Sequence, residues 1–234
     1  MNGPSPFWYA SRGIGLALLL VLTATVVLGT MTSGRWRTDG WPRFLTAELH
    51  RNLSLVGLSL LPLHGLTVVL DSYARLGLVD ITVPFASAYR PLWLGLGVLA
   101  GELLVAVVVT SLVRRLLGFG LWRLVHWAAY AVWPLALLHG LGTGSDTSSG
   151  WALLVYAGCA AAVVLAVLTR LALHLPDPPP GRVAAGLLVM AGMLAVVIWT
   201  MLGPLQPGWA AAAGTPRDLL GGQRASPAAT PEGP

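Results

Sequence analysis

The sequence predicts an all-α fold, a polytopic membrane bundle of six helices (residues 1–204) with a disordered C-terminal tail (205–234). Three observations predict it. Of the 234 residues, 56% are apolar and only 10% are charged, where a soluble domain carries about 25% charge. The mean hydropathy is +0.74. Six apolar stretches are each long enough to cross a hydrocarbon core of about 30 Å, which takes about 20 helical residues. The stretches are continuous rather than alternating, and lipid admits only helices and closed barrels. A soluble enzyme and a disordered chain are both excluded. A single cysteine, Cys159, excludes a disulfide framework, a Cys-ligated zinc site and a Cys-ligated iron–sulfur cluster.

The first span covers residues 8–30. Its apolar run exceeds the about 7–15 residues of a signal peptide, and no Ala-x-Ala site follows, so it is kept as a helix. The second covers 44–70 and contains Pro62; the third covers 91–113. The loop between them, 71–90, is semi-polar and is expected to form a re-entrant or interfacial piece. The fourth covers 121–141 with Pro134 inside it, the fifth 151–173, and the sixth 183–202. The remainder is rich in Ala, Gly and Pro and has too little apolar surface to bury a core.

The pI of 10.1 does not point to nucleic acid. All 14 basic residues are arginines, and they fall between apolar runs. Nine of them, Arg35, Arg37, Arg43, Arg51, Arg114, Arg115, Arg123, Arg170 and Arg182, lie on one side of the predicted topology. Five, Arg12, Arg75, Arg90, Arg217 and Arg224, lie on the other. The positive-inside rule puts the first set in the cytoplasm and both termini outside a plasma membrane.

Four of the five histidines form a pattern. His50 and His64 are 14 residues apart on the second span, and His126 and His139 are 13 apart on the fourth. The two spans run in the same direction, so His50 is level with His126 and His64 with His139. At 1.5 Å per residue the levels are about 20 Å apart. Imidazole is a good iron ligand, and haem takes one axial ligand on each face. Histidines inside spans are rare and usually functional. The pattern therefore predicts two stacked bis-histidine haem b sites, with the four histidines as metal ligands. One objection is geometric. At about 100° per residue, 13 steps leave His126 and His139 about 140° apart, so the fourth helix must be distorted, and Pro134 offers a kink. Gly57, midway between His50 and His64, is expected to leave room for a porphyrin. His174, at the end of the fifth span, reads as interfacial.

These residues resemble the ferric reductase-like transmembrane domain. That is the haem-binding core of NADPH oxidases, ferric-chelate reductases and the membrane haem subunit of the bacterial methionine sulfoxide reductase system. Leu49-His50-Arg51 and Leu63-His64-Gly65 carry the likeness on one helix; Trp122-Arg123-Leu124-Val125-His126 and Leu138-His139-Gly140 carry it on the other. The segment from Val83 to Trp93 is similar to bacterial members. The resemblance covers residues 10–170 and implies the same pairing of histidines. It also implies an oxidoreductase haem subunit that moves electrons outward to ferric iron or a partner reductase. The chain has no flavin or nicotinamide motif, so its donor would be separate, a flavin reductase or a membrane quinol, and any flavin would belong to that partner.

Arg51, Arg123 and Arg90 are the predicted contacts for anionic haem propionates, because arginine pairs with carboxylates bidentately. Taken singly, each of them is more simply read as a topology signal and a headgroup contact. Glu102, near the middle of the third span, is a candidate proton or quinol group. Trp133 and Cys159 read as packing. No catalytic residue is assigned. A non-redox alternative stays open: a six-helix permease using the histidines for protons, or a haem sensor.

Overall fold

The computed structural model describes residues 5–33, 42–172 and 180–221. Every regular element among them is a helix: α1 (Pro6–Ser33), α2 (Arg43–Leu70), α3 (Leu78–Thr82), α4 (Pro91–Leu112), α5 (Arg114–Trp127), α6 (Ala129–Thr143), α7 (Gly150–Ala172), α8 (Pro180–Leu202), α9 (Trp209–Ala212) and α10 (Arg217–Gly221). Six spans are long and apolar enough to cross a membrane, α5 and α6 together forming the fourth. The chain is a multi-pass membrane protein. Its outer faces fit that solvent: Leu154 is 75% and Leu188 72% exposed, a load of bare leucine that lipid accommodates and water does not. His174, Arg35, Arg37 and Arg224 lie outside the described residues, as do residues 222–234.

In lipid, helices associate through close packing and interhelical hydrogen bonds, because the tails are as apolar as the side chains. α1 lies at the centre, against α2, α6 and α7, while α4 lies against α5 and α6. The core joins Leu18, Leu19 and Leu22 of α1 to Leu104 and Val108 of α4, Val132, Trp133 and Leu137 of α6, and Tyr156 and Cys159 of α7. Trp133 packs as expected, and its indole Nε1–H donates to Thr23 Oγ1 at 2.9 Å inside this core. Thr23→Val keeps the shape and removes the acceptor, leaving a buried N–H unpaired. The expected loss is about 1–2 kcal/mol, read as a lower unfolding midpoint in detergent.

The fourth span is distorted, as the histidine spacing requires, but not at its proline. The ladder breaks at Ala128, whose N–H bonds Val125 O at 2.9 Å, while Ala131 N–H bonds Ala128 O at 2.9 Å. These i→i−3 bonds wind the chain faster than an α-helix, in the direction that brings His126 and His139 towards one face. Gly118 supplies a second break: its φ of 74° is open to glycine and strained for other residues.

Between α2 and α4 the loop folds over one end of the bundle. Asp71 is buried and accepts from Ser5 Oγ at 2.6 Å and from Ala74 N–H at 3.0 Å. α3 then leaves Val79 exposed, which suits the expected interfacial placement.

The tail is corrected in part. Leu205 N–H bonds Thr200 O, and α9 and α10 follow. Trp209 packs against Trp93 and Trp199 with ring centres 5.5 and 5.7 Å away. Composition missed this because one tryptophan and one buried arginine on another element, not the average of the segment, hold residues 205–221 in place.

Candidate cofactor site

The site is built from α1, α2, α4 and the broken α5–α6 span. Its levels are fixed by bonds that also prove the helix directions. His64 Nδ1 lies 3.0 Å from Ser11 O, and His50 Nδ1 2.9 Å from Thr25 O, both on α1. α2 therefore runs antiparallel to α1. His139 Nδ1 lies 2.9 Å from Trp93 O on α4. The rings meet as the sequence predicts: His50 with His126 and His64 with His139, each pair with centres 6.4 Å apart and planes at 71° and 86°.

A backbone carbonyl can only accept at Nδ1, so in His50, His64 and His139 that nitrogen carries the proton. Nε2 is then left as the free donor for a metal. Each carbonyl is reached past a glycine four residues further along its helix: Ser11 and Gly15, Thr25 and Gly29, Trp93 and Gly97. In an α-helix the carbonyl of residue i points at residue i+4, so a side chain at that position would cover the oxygen. A Cβ on Gly15 would stand 3.1 Å from His64 Cε1, and one on Gly29 3.1 Å from His50 Cε1. One on Gly97 would run into the His139 ring.

The donor set fits an iron porphyrin. Among the described residues no three His, Cys, Asp or Glu side chains converge, so no protein-only metal cage exists there. Each level instead offers two imidazoles, the number that a macrocycle-bound iron lacks. Two metal–imidazole bonds of about 2 Å and two ring radii of about 1.1 Å span roughly 6.2 Å between ring centres. At the His64 level the rings border a cavity of about 940 Å³, a volume in the range of cofactor pockets. Leu18, Leu61, Leu104 and Val105 give it apolar walls, and Leu76, Leu78 and Ile81 close it from the loop side.

The other predicted residues divide. Glu102 is exposed and lines this cavity, between the two levels by its place on α4. Arg51 is exposed and 3.9 Å from Glu48, and Arg123 lies over the Phe119 ring; neither is held against a histidine pair. Arg90 is buried, and its Nη1 and Nε donate to Gly142 O and Thr215 Oγ1, both at 2.9 Å. Its guanidinium serves the fold rather than the cavity. Gly57 is corrected too: its open side faces Val21 of α1, 3.7 Å away. The glycines that make room are Gly15, Gly29 and Gly97.

Arg12 is the residue that sequence reasoning passed over. It lines the cavity beside His64, donates from Nη2 to Thr143 O at 3.1 Å and pairs with Asp146 at 3.3 Å. Its signal was its position, three residues before Gly15 on α1, which puts it just above the His64 level.

Comparison with known proteins finds no matching family model, no similar curated protein and no similar solved structure, so the family resemblance stands on the histidine pattern and its flanking residues alone.

Proposed function

We propose that the chain is a membrane b-type cytochrome that conducts electrons across the bilayer between two bis-histidine haem sites. One observation carries the reading: two imidazole pairs, each with ring centres 6.4 Å apart, one above the other between parallel spans. When bound, the iron porphyrins supply reversible one-electron reduction and oxidation.

The chain's own residues do the rest. His50 with His126 and His64 with His139 would each hold one iron porphyrin, and ligation by two imidazoles would suit electron transfer rather than oxygen binding. Ser11 O, Thr25 O and Trp93 O hold three of the rings in the metal-binding tautomer. Leucine and valine side chains give the cavity at the His64 level a mostly apolar lining. Arg12 offers the cation for an anionic porphyrin edge at the His64 level.

The arginine asymmetry supports a reading with the His50 level at the cytoplasmic face of a plasma membrane and both termini outside. The donor is then a reduced flavin on a partner protein or a quinol. The acceptor is extracytoplasmic, either ferric iron or a partner reductase. In this reading the chain is the haem subunit of an oxidoreductase.

The test is a haem-to-protein ratio with a reduced-minus-oxidised spectrum on the purified chain. Two b-type haems are expected, with one lost in His50→Ala/His126→Ala and the other in His64→Ala/His139→Ala. A chain made with ample haem that binds none would end the reading in favour of a non-redox permease.

A further inference from the structure

Three of the four imidazoles share one seat, a carbonyl uncovered by a glycine four residues on, and the fourth does not. We propose that Ser111 and Trp122 are positioning residues that seat His126 by ring stacking instead, and that the His50–His126 site therefore has a higher reduction potential than the His64–His139 site. The inference rests on the haem reading above.

The break in the pattern can be followed residue by residue. On α4, 14 residues separate Trp93 from Val107 and Gly97 from Ser111, the same step that separates the two histidine levels on α2. At the His126 level the glycine of the seat is thus replaced by serine. Ser111 covers the carbonyl behind it and occupies it: its hydroxyl donates to Val107 O at 2.7 Å, and Thr110 Oγ1 reaches the same oxygen at 3.2 Å. Trp122 Nε1–H then donates to Ser111 Oγ at 3.1 Å. The Trp122 ring stacks on His126 with centres 5.0 Å apart and planes at 27°. Because α4 and α5 are antiparallel, Val107 lies one turn from Ser111 as His126 lies one turn from Trp122, at the same height. His126 Nδ1 is buried and has no hydrogen-bond partner.

The consequence is electronic. An acceptor at Nδ1 makes an imidazole a stronger donor through Nε2, and a stronger donor favours ferric over ferrous iron. His126 lacks that acceptor and its three counterparts have it. An outward step from the His50 level to the His64 level then runs against the intrinsic potentials, and a membrane potential negative inside acts in its favour.

Optical redox titration of the purified full chain tests this. The wild type is expected to show two transitions, the higher of them lost in His50→Ala. Ser111→Gly opens the carbonyl and should move that transition to lower potential while the other stays. Ser111→Ala removes the hydroxyl but keeps the Cβ over the oxygen, and should move it far less. Trp122→Leu should weaken retention of that haem by about 10–100-fold, with Trp122→Phe restoring it. An unmoved transition in Ser111→Gly, an equal shift in Ser111→Ala, a joint shift of both transitions, or loss of the lower transition in His50→Ala would overturn the proposal while leaving the cytochrome reading intact. A wild type without haem would overturn that reading instead.

Discussion

On the proposal that the chain holds two haems, Gly97→Ala is expected to strip one of them, although on an ordinary helix this change stabilises by about 1 kcal/mol. The added methyl has nowhere to go. It would run into the His139 ring, which lies across the Gly97 backbone to reach Trp93 O. Either the ring leaves the carbonyl or α4 leaves α6, and both spoil the pairing of His139 with His64. Gly15→Ala should act on the same level more mildly, because its Cβ would stand 3.1 Å from His64 Cε1, a contact that a small ring shift relieves. Gly57→Ala is the control. Its Cβ would meet Val21 at 3.7 Å, an ordinary contact, so both haems should stay and stability should rise by up to about 1 kcal/mol. The check is the haem-to-protein ratio of the three variants, with helix content confirmed by circular dichroism. Two haems retained in Gly97→Ala would show that the close approach of ring and glycine is not needed for the site.

The spans were legible because a bilayer imposes one simple demand, length at low polarity, and α1, α2, α4, the joined α5–α6, α7 and α8 meet it; five of them fall within a few residues of the expected limits, while the fourth begins earlier than expected, at Arg114. The pairing of the histidines was legible for a related reason. Equal heights on parallel helices follow from spacing alone, and His50, His64, His126 and His139 carry that spacing in plain view. The seats were harder. Gly15 and Gly29 repeat at 14 residues, as do His50 and His64, but glycine is common in membrane helices, and its purpose shows only once the facing ring is in place. Distortion of the fourth span was predictable from the mismatch of 13 residues with the helical period. Its position was not: proline marks where a hydrogen bond is missing, whereas Ala128 breaks the ladder without any residue that announces it. Residues 205–221 were misread because composition averages over a segment, while docking depends on Trp209 and on an arginine 125 positions from its partner Thr215.

That arginine gives the second large effect. Arg90→Ala should destabilise the chain by about 3–6 kcal/mol, the sum expected from two lost hydrogen bonds to a charged group. The guanidinium clasps α6 through Gly142 O and the C-terminal segment through Thr215 Oγ1, and its backbone N–H bonds Gly214 O at 3.0 Å. Trp209 Nε1–H shares the Gly142 carbonyl at 3.1 Å, so α4, α6 and the tail meet at one oxygen. Burial lowers the pKa of Arg90 from its usual value, and the neighbouring Tyr89 acts in the opposite direction. The backbone of Arg90 is left-handed, at φ 43°, which a non-glycine residue holds at a cost of about 1–2 kcal/mol. Arg90→Gly relieves that strain and should lose less than Arg90→Ala. Arg90→Lys keeps the charge, but one ammonium cannot reproduce the planar fork that reaches Gly142 and Thr215 together, so it should fall between wild type and alanine. Thermal unfolding in detergent separates this role from the one the sequence alone proposed. An arginine that held only a haem propionate would leave the haem-free chain as stable as before when removed. A clasp between α4, α6 and the tail lowers the unfolding midpoint of the haem-free chain as well, and loosens the His64 level when haem is present, because Trp93 O sits on the first turn of the helix that Arg90 caps.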